Sequence, residues 1–497
     1  MLQTNADLIV TPFEMSSIDA AAAASGIDSF GLMRSAGTAV SATALRLYPQ
    51  AKRFAVFCGP GNNGGDGYIA AAALRQTGAV TAVFSAVDPA AIKGDARRAR
   101  EGYRGDIAAL SRYDPDADDV IIDALFGAGL SKTIPDTIAR VMQIVRDNDL
   151  PVISIDLPSG VDGRTGQVLG ESFRAKHTIT FAARKPGHLL LPGRMLCGTL
   201  EVADIGIPER ILRTGTGSLC ENGPHLWQAH AFVLDPAAHK FKRGHLAVFS
   251  GGALSTGAAR LSAIAGLRGG AGLVTVASPR DALAANAAQL TAAMLKEIDS
   301  IRDLVAFLSD RRVTACVLGP GFGDLARAQA YVPVMADRKL VLDADGITAF
   351  KGDPGALFDR FSEGEVRLVL TPHEGEFSRL FPDLAENETL SKVDRAVAAA
   401  QRSHAIVVYK GADTVIAAPD GRATINTNAP PWLATAGSGD TLAGLIGAHL
   451  AQGMPSFEAA AAAVWRHGRA ALKAGEGMTA EDLAGAIEPL GGADQAS

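Results

Sequence analysis

The stretch FAVFCGPGNNGGDGYIAAAALRQ, residues 54–76, decides the fold. It opens with an uninterrupted apolar run, FAVFC, of the length and kind that a strand buried on both faces requires. It closes with IAAAALRQ, an alanine-rich segment that favours helix. Between them lies GPGNNGGDG, residues 59–67, a strand-to-helix turn of the sort that begins a doubly wound parallel sheet, where ligands sit at the carboxyl ends of the strands. A second loop of this kind, AGSGDTLAG at 436–444, opens a helix in the other half. Helix N-termini present unpaired N–H groups to anions, so the chain should hold phosphorylated nucleotides at two sites.

Outward from the first loop, further short apolar runs at 80–85, 120–122, 152–155 and 177–181 alternate with helical patterns at 69–76, 95–103 and 137–146. The alternation predicts an α/β fold with a Rossmann-like, doubly wound parallel sheet. RTGTGSLCENG, residues 213–223, loses the periodicity and reads as a linker. A second series then predicts strands at 246–250, 273–277, 316–318, 340–342, 368–370 and 406–409. Helices are expected to begin near Ala258, Leu304, Glu374, Val393, Asp440 and Ala459. The expected division is a first domain over 1–215, a linker over 216–228 and a second α/β domain over 229–497. No repeat of 20 to 50 residues interrupts this plan.

Composition sets the class. The 497 residues are 47% hydrophobic and 20% charged, which suits a globular protein with ample core. A formal net charge of −6 argues against a broad nucleic-acid or membrane surface, while a local anion site of backbone N–H groups needs no net positive charge. Cys58, Cys197, Cys220 and Cys316 lack zinc or disulfide spacing and are expected as reduced thiols. No uninterrupted run of apolar residues is long enough for a membrane span, and no basic-then-apolar leader is evident, so a cytoplasmic location is expected.

Gly59, Gly61 and Gly64 satisfy G-x-G-x-x-G, with Asp88 at the end of the next predicted strand, so a nicotinamide-dependent dehydrogenase is one reading. The loop offers more than that pattern requires, because Asn62, Asn63 and Asp66 add amide and carboxylate oxygens. The plain alternative is a tight turn with Asp66 as a helix cap.

LMRSAG at 32–37, the first loop, DALFGAGLSK at 123–132, IDLPSGVDGRTG at 155–166 and FAARKPG at 181–187 together resemble the NAD(P)H-hydrate epimerase family across most of residues 1–215. That family interconverts the R and S forms of NAD(P)HX, the coenzyme with water added at carbon 6 of the nicotinamide ring. The resemblance implies hydrate contacts from Asn62, Asn63, Gly64, Gly65 and Asp66. It implies the same of Gly127, Ala128, Gly129, Leu130, Ser131, Lys132 and Thr133, with Asp156 at the reacting ring. Asn63, Asp123 and Ser159 would hold a potassium ion. Amide, carboxylate and hydroxyl oxygens are suitable donors for it, and Asp156 is suited to general acid–base work. As a plain alternative, Asp156 makes a turn ahead of Pro158.

The second half resembles the ADP- or ATP-dependent NAD(P)H-hydrate dehydratases, a branch of the ribokinase-like fold. The matching motifs are STGAARLSAIAGLRGGAGLVTVA at 255–277, GPGFG at 319–323, DADG at 343–346, LTPHEGEF at 370–377, KGADT at 410–414 and TAGSGDTLAG at 435–444. The resemblance implies hydrate contacts from Ala258, Gly323, His373 and Asp440. Adenine-nucleotide contacts would come from Lys410, Gly411, Ala412, Asp413, Thr414 and Gly439. Asp440 would be the catalytic base, with a helix N-cap as its plain alternative, and Glu374 and Glu376 would help place Mg²⁺ through water. ADP is the expected phosphoryl donor, giving AMP and phosphate. Arg34 in LMRSAG and Phe241 in HKFKRG depart from the family patterns. The combined expectation is a bifunctional isomerase and lyase that acts on small molecules, without nucleic acid or membrane, and forms a homo-oligomer. A ribokinase-like vitamin-precursor kinase and a non-catalytic dinucleotide-binding scaffold are the other function classes.

Overall fold

The computed structural model describes residues 8–232 and 240–490. The chain divides between Leu219 and Cys220 into two compact units.

The first unit carries β1 (Arg53–Cys58), β2 (Thr81–Ser85), β3 (Ile107–Ala109), β4 (Asp119–Ala124), β5 (Val152–Ile155), β6 (His177–Phe181) and β7 (Thr199–Ala203). They form one sheet in the order β3-β2-β1-β4-β5-β6-β7, parallel at every pairing. Successive side chains of a strand point to opposite faces. Val56, Ile122 and Ile153 therefore pack with Tyr68 and Leu74 of the helix Asn62–Gln76. Ala55, Phe57 and Ile121 pack on the other side with Ile138 and Met142 of the helix Asp136–Asp147. Burial on both faces is why these strands read as continuous apolar runs. The strand order reverses between β1 and β4, and a crevice opens there at the carboxyl ends. A Cβ at Gly59 would lie 1.8 Å from the carbonyl oxygen of Leu125, so glycine is what lets the two loops flanking that crevice touch.

The second unit contains β8 (Leu219–Glu221), β9 (His245–Phe249), β10 (Leu273–Ser278), β11 (Met294–Glu297), β12 (Val313–Leu318) and β13 (Lys339–Leu342). After these come β14 (Leu368–Leu370), β15 (Ile406–Tyr409), β16 (Val415–Ala417) and β17 (Ala423–Ile425). The sheet order is β11-β10-β9-β12-β13-β14-β15-β16-β17-β8. Pairing is parallel from β11 to β15 and antiparallel through β16 and β17. Here the order reverses between β9 and β12. Leu442, Leu445 and Ile446 of the helix Ser438–Ala451 bury against Val248, Val317 and Val341. That helix also lies close to the helix Thr256–Arg268, because a Cβ at Gly444 would stand 2.1 Å from the carbonyl oxygen of Ser262.

The linker expected over 216–228 is not one. Within it, β8 is the edge strand beside β17, and Pro224–Trp227 is a short helix. Asn222 is buried, donating from Nδ2 to Asn426 Oδ1 and to the carbonyl of Ala461. Trp227 is buried beside Trp465, with ring centroids 5.6 Å apart. The segment is too short to show a period, and its pairing is set by β17, which lies far along the chain. The expected start of the second domain at 229 therefore falls after residues that belong to its core. Removing a buried Trp side chain alone costs about 3 to 5 kcal/mol. A fragment over 229–497 should accordingly melt well below one over 219–497, or be insoluble, in thermal unfolding followed by circular dichroism. Equal melting temperatures would remove β8 and Trp227 from the second unit's fold.

Candidate active sites

In the first unit, the loops after β1, β4, β5 and β6, with the helices Pro12–Ala24 and Ser29–Leu47, line a cavity of about 630 Å³, within the size range of small-molecule sites. Asn62, Asn63 and Asp66 line it from the first turns of the helix that follows β1. Gly127, Ala128, Gly129, Leu130, Ser131 and Lys132 line it from the loop after β4, with Asp156 against that loop and Lys185 beside Asp156. Three residues expected at the ligand are not on its wall. Gly64 packs on Gly59, Gly65 on Met33, and Thr133 on Gly170.

Asp156 follows β5 with φ +65°, a conformation costly for a non-glycine residue and concentrated at functional sites. Four contacts hold it. Its Oδ1 accepts from Lys185 Nζ at 2.8 Å and from Thr180 Oγ1 at 3.0 Å, and its Oδ2 accepts from the Ala128 N–H at 2.8 Å. His188 Nε2 donates to the Asp156 carbonyl at 2.6 Å, while His188 Nδ1 accepts from the Lys185 N–H. Burial works to raise the Asp156 pKa, but the Lys185 charge and the Ala128 N–H prevail and hold the carboxyl well below the usual range. The group is a carboxylate at neutral pH. Asp66, which lines the same cavity, is pushed the other way by burial, with the Asp156 charge adding to it.

Behind the wall, Asp123 is fully buried at the end of β4. It accepts from Ser159 N and Oγ, Ser154 Oγ and Leu125 N, all neutral donors. Burial pushes its pKa up to about 6 despite those bonds. Asn63 Nδ2 is buried without a hydrogen-bond partner, and a Cβ at Gly127 would meet both Asn63 Oδ1 and Asp156 Oδ2. The set thus offers amide, hydroxyl and carboxylate oxygens, with only neutral donors on Asp123, a chemistry that fits an oxygen-bound cation.

In the second unit, Gly437, at φ +85°, is the N-cap of the helix Ser438–Ala451 and supplies no side-chain cap; the Ser438 N–H donates to the Thr435 carbonyl at 3.3 Å, which leaves the first-turn N–H groups of Gly439 and Asp440 to face an anion. Asp440 lies in that first turn. Lys410 Nζ sits 2.6 Å from Asp343 Oδ1 and 3.9 Å from Glu376 Oε2. A Cβ at Gly439 would be 3.5 Å from Lys410 Nζ and 3.7 Å from Asp343 Oδ2, which places that ion pair against the anion loop. Burial pushes the Asp440 pKa up to about 6, the Asp343 charge adds to this, and Lys410 opposes it.

Other expected residues gather at the same strand ends. Gly321 packs on the Ala258 side chain, and the Gly323 N–H donates to Asp345 Oδ2 at 2.8 Å. His373 caps the helix Glu374–Leu380 and keeps a half-exposed imidazole. Gly411, Ala412 and Asp413 make the turn between β15 and β16. It is closed by the Thr414 hydroxyl donating to the Gly411 carbonyl and by an ion pair between Lys392 and Asp413. Both glutamates expected near Mg²⁺ are engaged: Glu374 accepts from Tyr409 Oη at 2.6 Å, and Glu376 accepts from the His373 N–H at 2.8 Å. Among the described residues no three His, Cys, Asp or Glu cluster as a metal site. Lys185, Thr180, His188, Asp343 and Lys392 were not among the residues expected from sequence, although FAARKPG and DADG contain Lys185 and Asp343.

Fold and sites define a two-unit α/β protein, one unit with a dinucleotide-type crevice and the other with a kinase-like anion loop. A family model described as "YjeF-related protein N-terminus" matches residues 29–187, and one described as "NAD(P)H-hydrate dehydratase" matches 246–488. The bifunctional NAD(P)H-hydrate repair enzyme of Thermofilum pendens is 35% identical, with 88% of this chain and 86% of that protein covered. Those of Moorella thermoacetica and Gloeobacter violaceus are each 34% identical, with 93% and 91%, and 98% and 98%, covered respectively. A solved Bacillus subtilis ADP/ATP-dependent NAD(P)H-hydrate dehydratase is 24% identical with a TM-score of 0.46, covering 54% of this chain and 95% of that one. The chain belongs to the bifunctional NAD(P)H-hydrate repair enzyme family.

If Lys185 holds Asp156 ionised, Lys185→Gln removes the largest opposition to burial and leaves the Ala128 N–H and the Thr180 hydroxyl as donors. The Asp156 titration, read by carboxyl-¹³C NMR as a difference from Asp156→Asn, should move upward from below the usual range. An unmoved titration would remove Lys185 from that role.

Proposed function

We propose that this chain repairs hydrated nicotinamide coenzymes at two sites, interconverting the R and S hydrates at the first and dehydrating the S form with ADP at the second. The observation that carries this is the pairing, in one chain, of an ionised carboxylate at a cofactor-sized cavity with a second carboxylate beside an anion loop and a lysine.

At the first site, Asp156 exchanges a proton at carbon 6, with the hydroxyl or with the water that leaves and returns, as general acid–base work. Lys185, Thr180 and the Ala128 N–H fix its orientation. Asn63, Asp123 and Ser159 would hold a potassium ion, which would supply positive charge beside a carboxylate that has only neutral donors.

At the second site, Asp440 takes the proton from the carbon 6 hydroxyl as its oxygen attacks the β-phosphorus of ADP and AMP departs. The new phosphate ester then eliminates: the carbon 6 oxygen bond breaks, a proton leaves carbon 5, and the dihydropyridine returns as NAD(P)H with phosphate released. First-turn N–H groups and Lys410 stabilise the charge on the transferring phosphoryl group. Mg²⁺ usually keeps its waters and binds substrate phosphates, so it would arrive on the nucleotide, with Glu376 in reach through water. The same family resemblance carries a homo-oligomer, which light scattering of the intact chain reads. Among the described residues no helix is long and apolar enough to cross a membrane.

Asp156→Asn should abolish interconversion of the hydrates, seen by chiral chromatography, and leave ADP-dependent NADH formation from the S hydrate intact. Asp440→Asn should do the reverse, with a loss of about 10²- to 10⁴-fold in the rate of NADH formation. Epimerisation that persists in the first variant, or NADH formation that persists in the second, overturns the corresponding assignment.

A base must be unprotonated to act, and kcat/KM reports the free enzyme. The dehydratase kcat/KM should therefore fall about tenfold per pH unit below about pH 6, where Asp440 is protonated, and level off above it. A profile flat from pH 5 to 8 would exclude Asp440 as the base.

A further inference from the structure

The anion loop is braced from behind by two side chains with no part in the chemistry above. His467, on the helix Ser456–Ala474, is buried, and its Nε2 lies 2.9 Å from the carbonyl oxygen of Ser438. A carbonyl only accepts, so Nε2 carries the proton and donates. Burial lowers the His467 pKa to about 4, and the Lys410 charge works in the same direction, so the ring stays neutral in that tautomer through the physiological range. Ser262, fully buried on the helix Thr256–Arg268, donates from Oγ to the carbonyl of Asp440 at 2.7 Å.

These two carbonyls flank Gly439 in the first helical turn. A peptide unit is planar and trans, so fixing the Ser438 carbonyl also fixes the opposite direction of the Gly439 N–H, one of the donors that a first turn leaves unpaired. Fixing the Asp440 carbonyl likewise anchors the backbone from which the Asp440 carboxyl projects. Donors aimed in advance at a developing charge need no reorganisation during the reaction.

We propose that His467 and Ser262 are positioning residues for phosphoryl transfer, acting through the Ser438 and Asp440 carbonyls and not on the substrate. The assignment rests on the second-site reaction proposed above. It concerns a quantity that a merely structural role would not select, the split between kcat and KM.

The test compares His467→Leu, His467→Gln and Ser262→Ala in the full chain with the S hydrate of NADH, ADP and Mg²⁺. In His467→Leu and Ser262→Ala, kcat should fall roughly 10- to 100-fold, the scale of a small misplacement of reacting groups. KM for the hydrate and the calorimetric Kd for ADP should stay within about threefold. His467→Gln, whose amide can donate near the position of Nε2, should recover most of the rate. Amide exchange in peptides spanning 435–442 should be faster in the leucine and alanine variants than in the parent. Unchanged kcat in a soluble variant, a rise confined to KM, or no rescue by glutamine overturns the proposal. If His467→Leu does not fold, the smaller Ser262→Ala change decides by the same criteria. A parent enzyme that fails to turn over ADP refutes the second-site reaction instead, and unchanged exchange at 435–442 then still overturns the bracing.

Discussion

Each unit places a carboxylate just past the carboxyl end of a buried strand, where the surroundings penalise charge. Each pairs it with one lysine. Lys185 reaches Asp156 at 2.8 Å, and Lys410 reaches Asp343 at 2.6 Å. Removing one partner of a buried pair costs about 3 to 5 kcal/mol, a large share of the roughly 5 to 15 kcal/mol by which domains are stable. The surrounding architecture therefore has to be arranged around these pairs: Thr180, His188 and the Ala128 N–H in one unit, Thr371 and the anion loop in the other.

Both units reach this by the same topological device, a parallel sheet whose strand order reverses and opens a crevice at the carboxyl ends. They then diverge in what the lysine touches. In the first, Lys185 bonds the carboxylate proposed to react, and Asp156 stays charged. In the second, Lys410 bonds Asp343, and Asp440 is left with burial, a like charge and a lysine committed elsewhere. A fixed charge and a carboxyl raised toward neutrality are thus produced from the same residue types by one change of partner.

The central strands were legible because burial on both faces leaves an apolar run, and the glycine loops because close approach excludes any Cβ. Asn62, Asn63 and Asp66 proved to share a cavity with 127–132 and Asp156, whereas Gly64, Gly65 and Thr133, drawn from the same motifs, pack against the backbone or side chains nearby. Lys185 and Asp343 were quoted within motifs yet carried no role, since their partners lie 29 and 67 residues away and only the fold brings them together. Ile107–Ala109 is only three residues long, and Thr199–Ala203 and Met294–Glu297 mix polar and apolar residues at sheet edges, which leaves no apolar run long enough to detect. The supposed linker failed for the related reason that β8 is specified by β17 and not by its own sequence.

That short edge strand also protects the sheet it joins. An unpaired strand edge is a template for pairing with other chains, and β17, with Ala423, Thr424 and Ile425 all buried, would present one if β8 were absent. The stretch of chain that leaves the first unit therefore also closes the border of the second. A dehydratase unit living apart from its epimerase would need another way to guard that border, with a strand of its own, a charged or proline-bearing edge, or a covering loop.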